Sequence, residues 1–181
     1  VSFLSFDSPE GKALFWNTSA HVLAQAIKRL FPEAKETIGP SIENGFYYDF
    51  ANLVISEHDF PKIEKEIKKI ITEGLKPEKR TFKNKDEAKK HFQENPYKLE
   101  LIDSFEEGAI SSYTQGEFED LCRGPHLAFI NKIKAFKILK TSGAYWKGDQ
   151  NREMLTRIYA ISFPEKQMLK DYLSFLKKKK K

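Results

Sequence analysis

The chain has 181 residues, 40% hydrophobic and 13% aromatic, a composition that fits one folded domain and excludes an intrinsically disordered chain. Its one cysteine excludes an internal disulfide, and no apolar run approaches the ~20 residues of a membrane helix, so we expect a cytoplasmic protein. Lysine and arginine (31) outnumber aspartate and glutamate (26) by five, which is the number of lysines in the run 177–181, so the rest of the chain is neutral.

The first predicted element is a long amphipathic helix. Ser8, Pro9 and Glu10 form a helix start, with a capping hydroxyl, proline at the first helical position and an acid in the first turn. Apolar residues then recur every three or four positions until Pro32 ends the pattern. This stripe consists of Trp16, Ala20, Leu23, Ala24, Ile27, Leu30 and Phe31.

The remaining elements indicate an α+β fold. Further helices are predicted from Ser56 to Gly74, over 84–92, and from Pro164 into the lysine run. Strands are predicted at 46–50, 80–82, 99–102, 110–113, 118–121, 136–139 and 155–163, with a loop at 142–149. Because the strands occur in runs, we expect an antiparallel β-sheet packed with helices in a single domain.

The two ends of the sequence suggest a piece of a longer protein. The chain begins with valine and not with methionine, as we expect of a fragment cut from a longer protein. We expect the domain to span residues 1–176, and the lysines of 177–181 to begin a linker that is the end of a helix.

One of the four histidines lies beside the apolar stripe of the first helix. Asn17 and Gln25 lie one turn before and one turn after His21, on the same face. This polar row borders the predicted core, where it can line a cleft. A histidine bonded to a backbone carbonyl at the helix shoulder would give the same pattern, so the spacing leaves both interpretations open.

A thiol and an imidazole lie four residues apart near the end of a predicted strand. A Gly-Pro pair between Cys122 and His126 excludes a regular helix, but a sharp turn can direct both side chains at one centre. With His21 they would provide three zinc ligands and leave the fourth position for water, while Asp120 could orient an imidazole. A buried structural cysteine is the alternative.

Motifs of ATP-binding, dinucleotide-binding and serine-hydrolase modules are missing, but four other segments resemble one family. The segments are 18–26, 38–40 together with 44–49, 120–126, and 142–149. Their sequences and order resemble threonyl-tRNA synthetases of the bacterial and eukaryotic type, in the second N-terminal or editing domain, which alanyl-tRNA synthetases share in related form. The family's first domain would precede Val1 and its catalytic core would follow the lysine run, so the ligase active site is expected outside this chain.

The resemblance implies a hydrolytic function, the removal of serine wrongly attached to threonine tRNA. Serine lacks one methyl group of threonine, a difference worth only ~1–3 kcal/mol in binding, so a second site must remove the wrong product. The implied partners are the acceptor end of tRNA(Thr) carrying serine, neighbouring domains of the same chain, and a second copy in a homodimer. No membrane partner is implied.

The family's site residues can be carried over by position. The catalytic residues would be His21, His126, Cys122, Lys98 and Asp120, and the substrate-binding residues would be Asn17, Tyr48 and Asp49. The resemblance requires no cofactor. Alanyl-type editing domains bind zinc, however, so His21, Cys122 and His126 are also candidate zinc ligands.

The sequence departs from the family pattern at Asn17, where the family has the first histidine of H-x-x-x-H. Asparagine can form a hydrogen bond with a water but cannot take its proton, and it is a poor zinc ligand. Two functions therefore stay open: a deacylase, or a module that binds the tRNA acceptor end with editing weakened or lost. A spacer between neighbouring domains is a third alternative.

Overall fold

Two antiparallel sheets and five α-helices make up the described part of the chain. A computed structural model describes residues 6–105, 110–121, 126–127 and 130–179. The helices are α1 (Pro9–Leu30), α2 (Phe60–Glu73), α3 (Lys85–His91), α4 (Pro96–Asp103) and α5 (Lys166–Lys179). The strands are β1 (Lys35–Glu36), β2 (Ser41–Ile42), β3 (Gly45–Ala51), β4 (Glu78–Thr81), β5 (Ser111–Gln115), β6 (Phe118–Leu121), β7 (Ala135–Tyr145) and β8 (Met154–Phe163). The predicted α+β class with antiparallel pairing is confirmed.

Helix α1 lies at the centre of the core and starts and stops where the sequence predicts. The Ser8 hydroxyl accepts the backbone N–H of Gly11 at 3.0 Å, and the last turn closes with Phe31 donating to the carbonyl of Ile27 at 2.7 Å. Every residue from 18 to 27 is buried. A helix buried all round must be covered on several sides, so its polar residues need partners inside the protein.

The larger sheet has the strand order β1-β3-β8-β7, with β2 paired to the start of β3. Alternate residues of β3 point to opposite faces. Phe46, Tyr48 and Phe50 point into the core, on what we call the core face. Tyr47 and Asp49 lie on the other, outer face, directly opposite Tyr159 and Arg157 of β8. Neighbouring residues of β3 therefore have different surroundings.

The smaller sheet has the order β4-β5-β6 and its own apolar cluster. That cluster consists of Phe82, Ala88, Phe92, Ile102 and Ile110. Helix α1 joins the two sheets, because the indole N–H of Trp16 donates to the Ser162 carbonyl at 2.9 Å and the Gln115 amide donates to Gln25 at 2.9 Å. The expected single sheet is therefore two sheets on either side of one helix.

Two local predictions are wrong, and two short strands were not predicted. Residues 99–102 belong to α4 and not to a strand, because Asn95 caps that helix by accepting the N–H groups of Tyr97 at 3.0 Å and Lys98 at 3.4 Å. The first half of the predicted loop 142–149 continues β7 as far as Tyr145, and a 3-10 turn follows at Trp146–Gly148. Strands β1 and β2 have two residues each, too few to show a period in the sequence.

The lysine run continues a helix as far as the chain is described. Lys177, Lys178 and Lys179 form the last turn of α5, where their charges interact favourably with the helix dipole. Its use as a linker stays a prediction. Among the described helices, none combines the length and the apolar character needed to cross a membrane.

Candidate functional site

A cavity of about 350 Å³ opens between α1, α4, the end of β6 and the segment that joins β1 to β2. Six of its lining residues carry the polar groups of the site or flank them: Asn17, His21, Thr37, Lys98, Asp120 and Leu121. Four different parts of the chain, far apart in sequence, supply them. The cavity therefore exists only in the folded domain.

Asp120 is the centre of a buried polar network beside this cavity. Its carboxylate accepts the Tyr48 hydroxyl, forms an ion pair with the Lys98 ammonium, and accepts the backbone N–H of Leu121 at 2.8 Å. The Lys98 ammonium also donates to the carbonyl of Thr37 at 2.6 Å and to the Tyr48 hydroxyl at 3.4 Å. Buried charges persist when they are paired and hydrogen-bonded in this way.

The local sequence explains how Lys98 and Tyr48 come to meet. Asn95 and Pro96 start α4, so Lys98 lies in its first turn and points back towards β1. Tyr48 is buried beneath Gly39, where a Cβ atom would lie 2.1 Å from the tyrosine ring. Glycine is therefore required at position 39 because the backbone passes directly over the ring.

His21 lies on α1 and is 5% exposed. Its Nε2 lies 3.5 Å from the carboxylate of Asp120, and its buried Nδ1 has no hydrogen-bond partner among the described residues. Burial, helped by the nearby charge of Lys98, lowers the pKa of His21 from 6.5 to about 3. The imidazole is therefore neutral at neutral pH.

His126 lies next to His21, as the sequence predicts. The two ring centroids are 4.5 Å apart, and His126 also stacks on Tyr113 at 4.1 Å with nearly parallel planes. Burial and the neighbouring His21 lower the pKa of His126 to about 2, against the opposing effect of Asp120. Two neutral imidazoles can hold a water molecule but are weak proton acceptors at pH 7.

Asn17 lines the same cavity, one turn before His21 on the same helical face. The next residue, Thr18, accepts the backbone N–H of Leu127 at 2.9 Å and so ties the segment of His126 to α1. Gln25, the other polar neighbour of His21, is bonded elsewhere, to Glu117 at 2.8 Å. Only the N-terminal half of the predicted polar row therefore lines the cavity.

The structure brings together six of the eight site residues predicted from the sequence: Asn17, His21, Tyr48, Lys98, Asp120 and His126. Their chemical roles stay predictions. Asp49 does not join them, because it lies on the outer face of β3 and its carboxylate binds Arg157 at 2.8 and 3.0 Å. Its predicted contact with substrate stays a prediction. Cys122 lies outside the described residues.

Two residues of the network were missed by sequence reasoning. Thr37 contributes a backbone carbonyl to Lys98, and any residue type could supply that group. Thr18 contributes a side-chain oxygen from within a helix, where threonine carries no clear signal. The proline before Tyr97 and Lys98, in contrast, was a readable sign of a helix start.

The described residues fit a zinc ion only in part. His21 and His126 supply two imidazoles near each other, but a tetrahedral site needs at least one further nitrogen, sulfur or oxygen ligand. No group of three histidine, cysteine or acidic side chains suited to a metal occurs within 6–105, 110–121, 126–127 and 130–179.

Comparison with known proteins gives a consistent result. Residues 110–159 match the family model described as "Threonyl and Alanyl tRNA synthetase second additional domain". The whole chain is 63% identical to part of a threonine--tRNA ligase of Protochlamydia amoebophila, 54% to one of Chlamydia felis, and 51% to one of Caldanaerobacter subterraneus. The chain spans only 28–29% of the length of these relatives.

Proposed function

Because this chain belongs to the threonyl and alanyl tRNA synthetase second additional domain family, we propose that it hydrolyses the ester of serine attached in error to threonine tRNA. One observation carries the proposal. The buried Asp120–Lys98 pair and the neutral imidazole of His21 line the same cavity. The carboxylate of Asp120 can bind an ammonium group of the substrate, and the imidazole of His21 beside it can bind a water molecule.

The proposed reaction adds one water across the ester. The water oxygen bonds to the carbonyl carbon of the serine, and the bond from that carbon to the ribose oxygen breaks. The ribose oxygen takes a proton, and free serine and uncharged tRNA leave. The protein's contribution is to position the water and the aminoacyl group.

Asp120 is the proposed anchor for the α-ammonium of serine. Lys98 directs its ammonium at Asp120, Thr37 and Tyr48. It therefore holds the carboxylate of Asp120 in place and does not itself bind the substrate. The resemblance implied a catalytic role for Lys98, whereas in this proposal Lys98 acts through Asp120.

His21 is the proposed holder of the water. Its Nε2 faces the carboxylate of Asp120 at 3.5 Å, which favours the tautomer with hydrogen on Nε2. The Nδ1 atom then presents a lone pair, which can accept a hydrogen bond from a water. The adjacent ring of His126 holds His21 in this orientation.

Discrimination against threonine is proposed to come from shape. Gly39 and Pro40 line the cavity over Tyr48, and the backbone of Gly39 lies directly against the tyrosine ring. Backbone cannot move aside as a long side chain can. The extra methyl group of threonine would therefore clash there.

A deacylation assay tests this function. Seryl-tRNA(Thr) and threonyl-tRNA(Thr) are incubated with the chain, and we expect release of serine above the buffer blank with threonine spared. Asp120→Asn should lower serine release by about 10–100-fold, the loss of one hydrogen bond to a charged group. The matched control is Asp103→Asn, which removes an exposed carboxylate of α4 and should leave the rate unchanged. Serine release no faster than the blank would contradict the proposal.

A second candidate, tRNA binding without hydrolysis, is favoured by one observation. The imidazoles of His21 and His126 have strongly lowered pKa values. Asn17, which lines the cavity one turn from His21, has an amide side chain, so none of these three groups takes a proton readily at pH 7. Binding of tRNA(Thr) with no serine release would support this candidate.

A further inference from the structure

The outer face of the larger sheet is covered at both ends but open in the middle. At one end, Ala51 and Leu155 are buried beneath Trp146 and helix α4. At the other end Ile161, which shares this face with Tyr159 by alternation along β8, is 1% exposed. Between these ends Tyr47 and Tyr159 are partly exposed.

The open part holds two aromatic rings, each with a cation over it. Tyr47 and Tyr159 are direct cross-strand neighbours, with ring centroids 5.8 Å apart. The guanidinium carbon of Arg157 lies 3.9 Å from the centroid of the Tyr47 ring, and the ammonium of Lys140 lies 4.8 Å from that of Tyr159. We call these four residues the tyrosine platform.

The two cations of the platform differ in whether an acidic side chain already binds them. Arg157 is held by two hydrogen bonds from its guanidinium to Asp49, so its plane is fixed and its charge is neutralised. Lys140, in contrast, has no ion-pair partner in the described part of the chain and is exposed. The platform therefore offers fixed flat surfaces together with one available positive charge.

We propose that the tyrosine platform binds unpaired nucleotides of an RNA. Bases stack on tyrosine rings and on the guanidinium plane of arginine, and an unpaired ammonium attracts a phosphate. Duplex RNA would not fit as well, because its bases are already stacked on each other. The combination of flat surfaces and a free cation matches this ligand in both shape and charge.

The platform lies back to back with the candidate site. Tyr47 and Tyr48 are adjacent in β3, and the hydroxyl of Tyr48 reaches Asp120 on the other side of the strand. The inference rests on the proposed function only for which RNA is bound, since stacking requires no hydrolysis.

Binding of a fluorescein-labelled short oligoadenylate, followed by anisotropy, tests the platform. Tyr159→Leu should weaken binding about tenfold, the loss expected for one base stacked on an aromatic ring. Tyr145→Leu is the matched control, because Tyr145 is an exposed tyrosine of β7 on the other face of the sheet. It should bind like the parent chain, and thermal unfolding should show both variants folded.

The charge of Lys140 gives a second, independent measurement. Lys140→Gln should reduce the slope of log affinity against log salt by about 0.7, the value for one phosphate contact on a single strand. Lys65→Gln removes the same charge from the exposed face of α2 and should reduce that slope less. Equal effects of the two variants would overturn the platform and indicate general charge attraction.

Three further results would also overturn the inference. One is equal weakening by Tyr159→Leu and Tyr145→Leu, and another is binding of an RNA duplex as tight as that of the oligoadenylate. The third is no RNA binding together with self-association that Tyr159→Leu abolishes, which would make this face a protein interface. If the parent chain binds the oligoadenylate but releases no serine from seryl-tRNA(Thr), the proposed function is contradicted and the platform is not.

Discussion

Lys98 and Asp120 form an ion pair in which the two side chains are 2% and 3% exposed. Their elements, α4 and β6, come from different parts of the chain, and the pair joins them beside the cavity. Removing one member of such a pair leaves the other charge buried and unpaired, which is far more damaging than the loss of a surface ion pair.

We therefore expect Lys98→Met to lower the free energy of unfolding by about 3–5 kcal/mol. The comparison is Lys89→Met, because Lys89 pairs with Asp103 at the protein surface and its loss should change stability by less than about 1 kcal/mol. Urea unfolding of the parent chain and of the two variants measures both effects. A similar small change for both variants would mean that water solvates Asp120 in the folded protein.

The buried His21 and the half-buried His126 predict loss of stability in acid. Burial lowers the pKa of His21 to about 3 and of His126 to about 2, below the value of about 6.5 expected in the unfolded chain. Below pH 6.5 the unfolded chain therefore binds protons that the folded chain does not, so their contribution to stability is complete above pH 6.5 and is lost as the pH falls towards 3.

Unfolding measured at several pH values between 4 and 6 checks this sign. His21 and His126 should each contribute a slope of up to about 1.4 kcal/mol per pH unit. His126→Gln should remove its share of that slope, and His58→Gln, at an exposed position, serves as the comparison. An unchanged slope in His126→Gln would show that this imidazole is protonated in the folded protein.

The backbone over Tyr48 predicts a third result. Gly39→Ala would place a Cβ atom 2.1 Å from the Tyr48 ring, so the ring must shift and we expect a loss of stability of about 1–3 kcal/mol. The tyrosine hydroxyl would move away from Asp120 at the same time, so serine release should also fall.

Gly143→Ala is the matched comparison for this change. A Cβ atom there would meet the sulfur of Met154 at 2.8 Å, but that side chain is 58% exposed and can move aside. Thermal unfolding should therefore separate the two variants. If both are equally stable, the chain over Tyr48 is able to retreat, and the proposed rigid wall against threonine loses its support.

The accuracy of the sequence predictions depended on whether a feature was local. The start of α1 was predictable, because Ser8 and Pro9 act within one turn, whereas the short apolar run of 99–102 fits a strand or a helix equally well. The family motif included Tyr48, whose hydroxyl lies beside Asp120 in the structure. It also included Asp49, which lies on the opposite face of the strand, because a motif does not show that neighbouring residues of a strand face opposite sides.

The contact between Thr37 and Lys98 could not have been predicted in this way. It uses a backbone carbonyl, which every residue has, and its position depends on the pairing of β1 with β3. The low pKa values of His21 and His126 could not be predicted from the sequence either, because they follow from burial in the folded chain. Residue types therefore indicated the site, but its protonation required the structure.

The last prediction concerns Asn17, which lines the cavity one turn from His21 and is partly exposed. A histidine at this position would be less buried than His21, so we expect its pKa to stay nearer 6.5, where an imidazole can take a proton from water at neutral pH. General base catalysis of this kind contributes about 10²–10⁴-fold. Asn17→His should therefore raise seryl-tRNA hydrolysis by up to about 10²-fold, and its rate should fall as the pH drops below about 6.5.

Two variants distinguish this base from a change in packing at the cavity mouth. Asn17→Gln keeps an amide and should hydrolyse seryl-tRNA at the parent rate, without the new dependence on pH. His21→Ala should lower hydrolysis in either background, because it removes the proposed acceptor for the water. Threonyl-tRNA should be spared in every case, since its exclusion depends on the wall at Gly39 and not on the base. If Asn17→His changes neither the rate nor its pH profile, the attacking water does not lie beside position 17. The proton must then pass to another group, of which the ribose hydroxyl next to the ester is the nearest on the substrate.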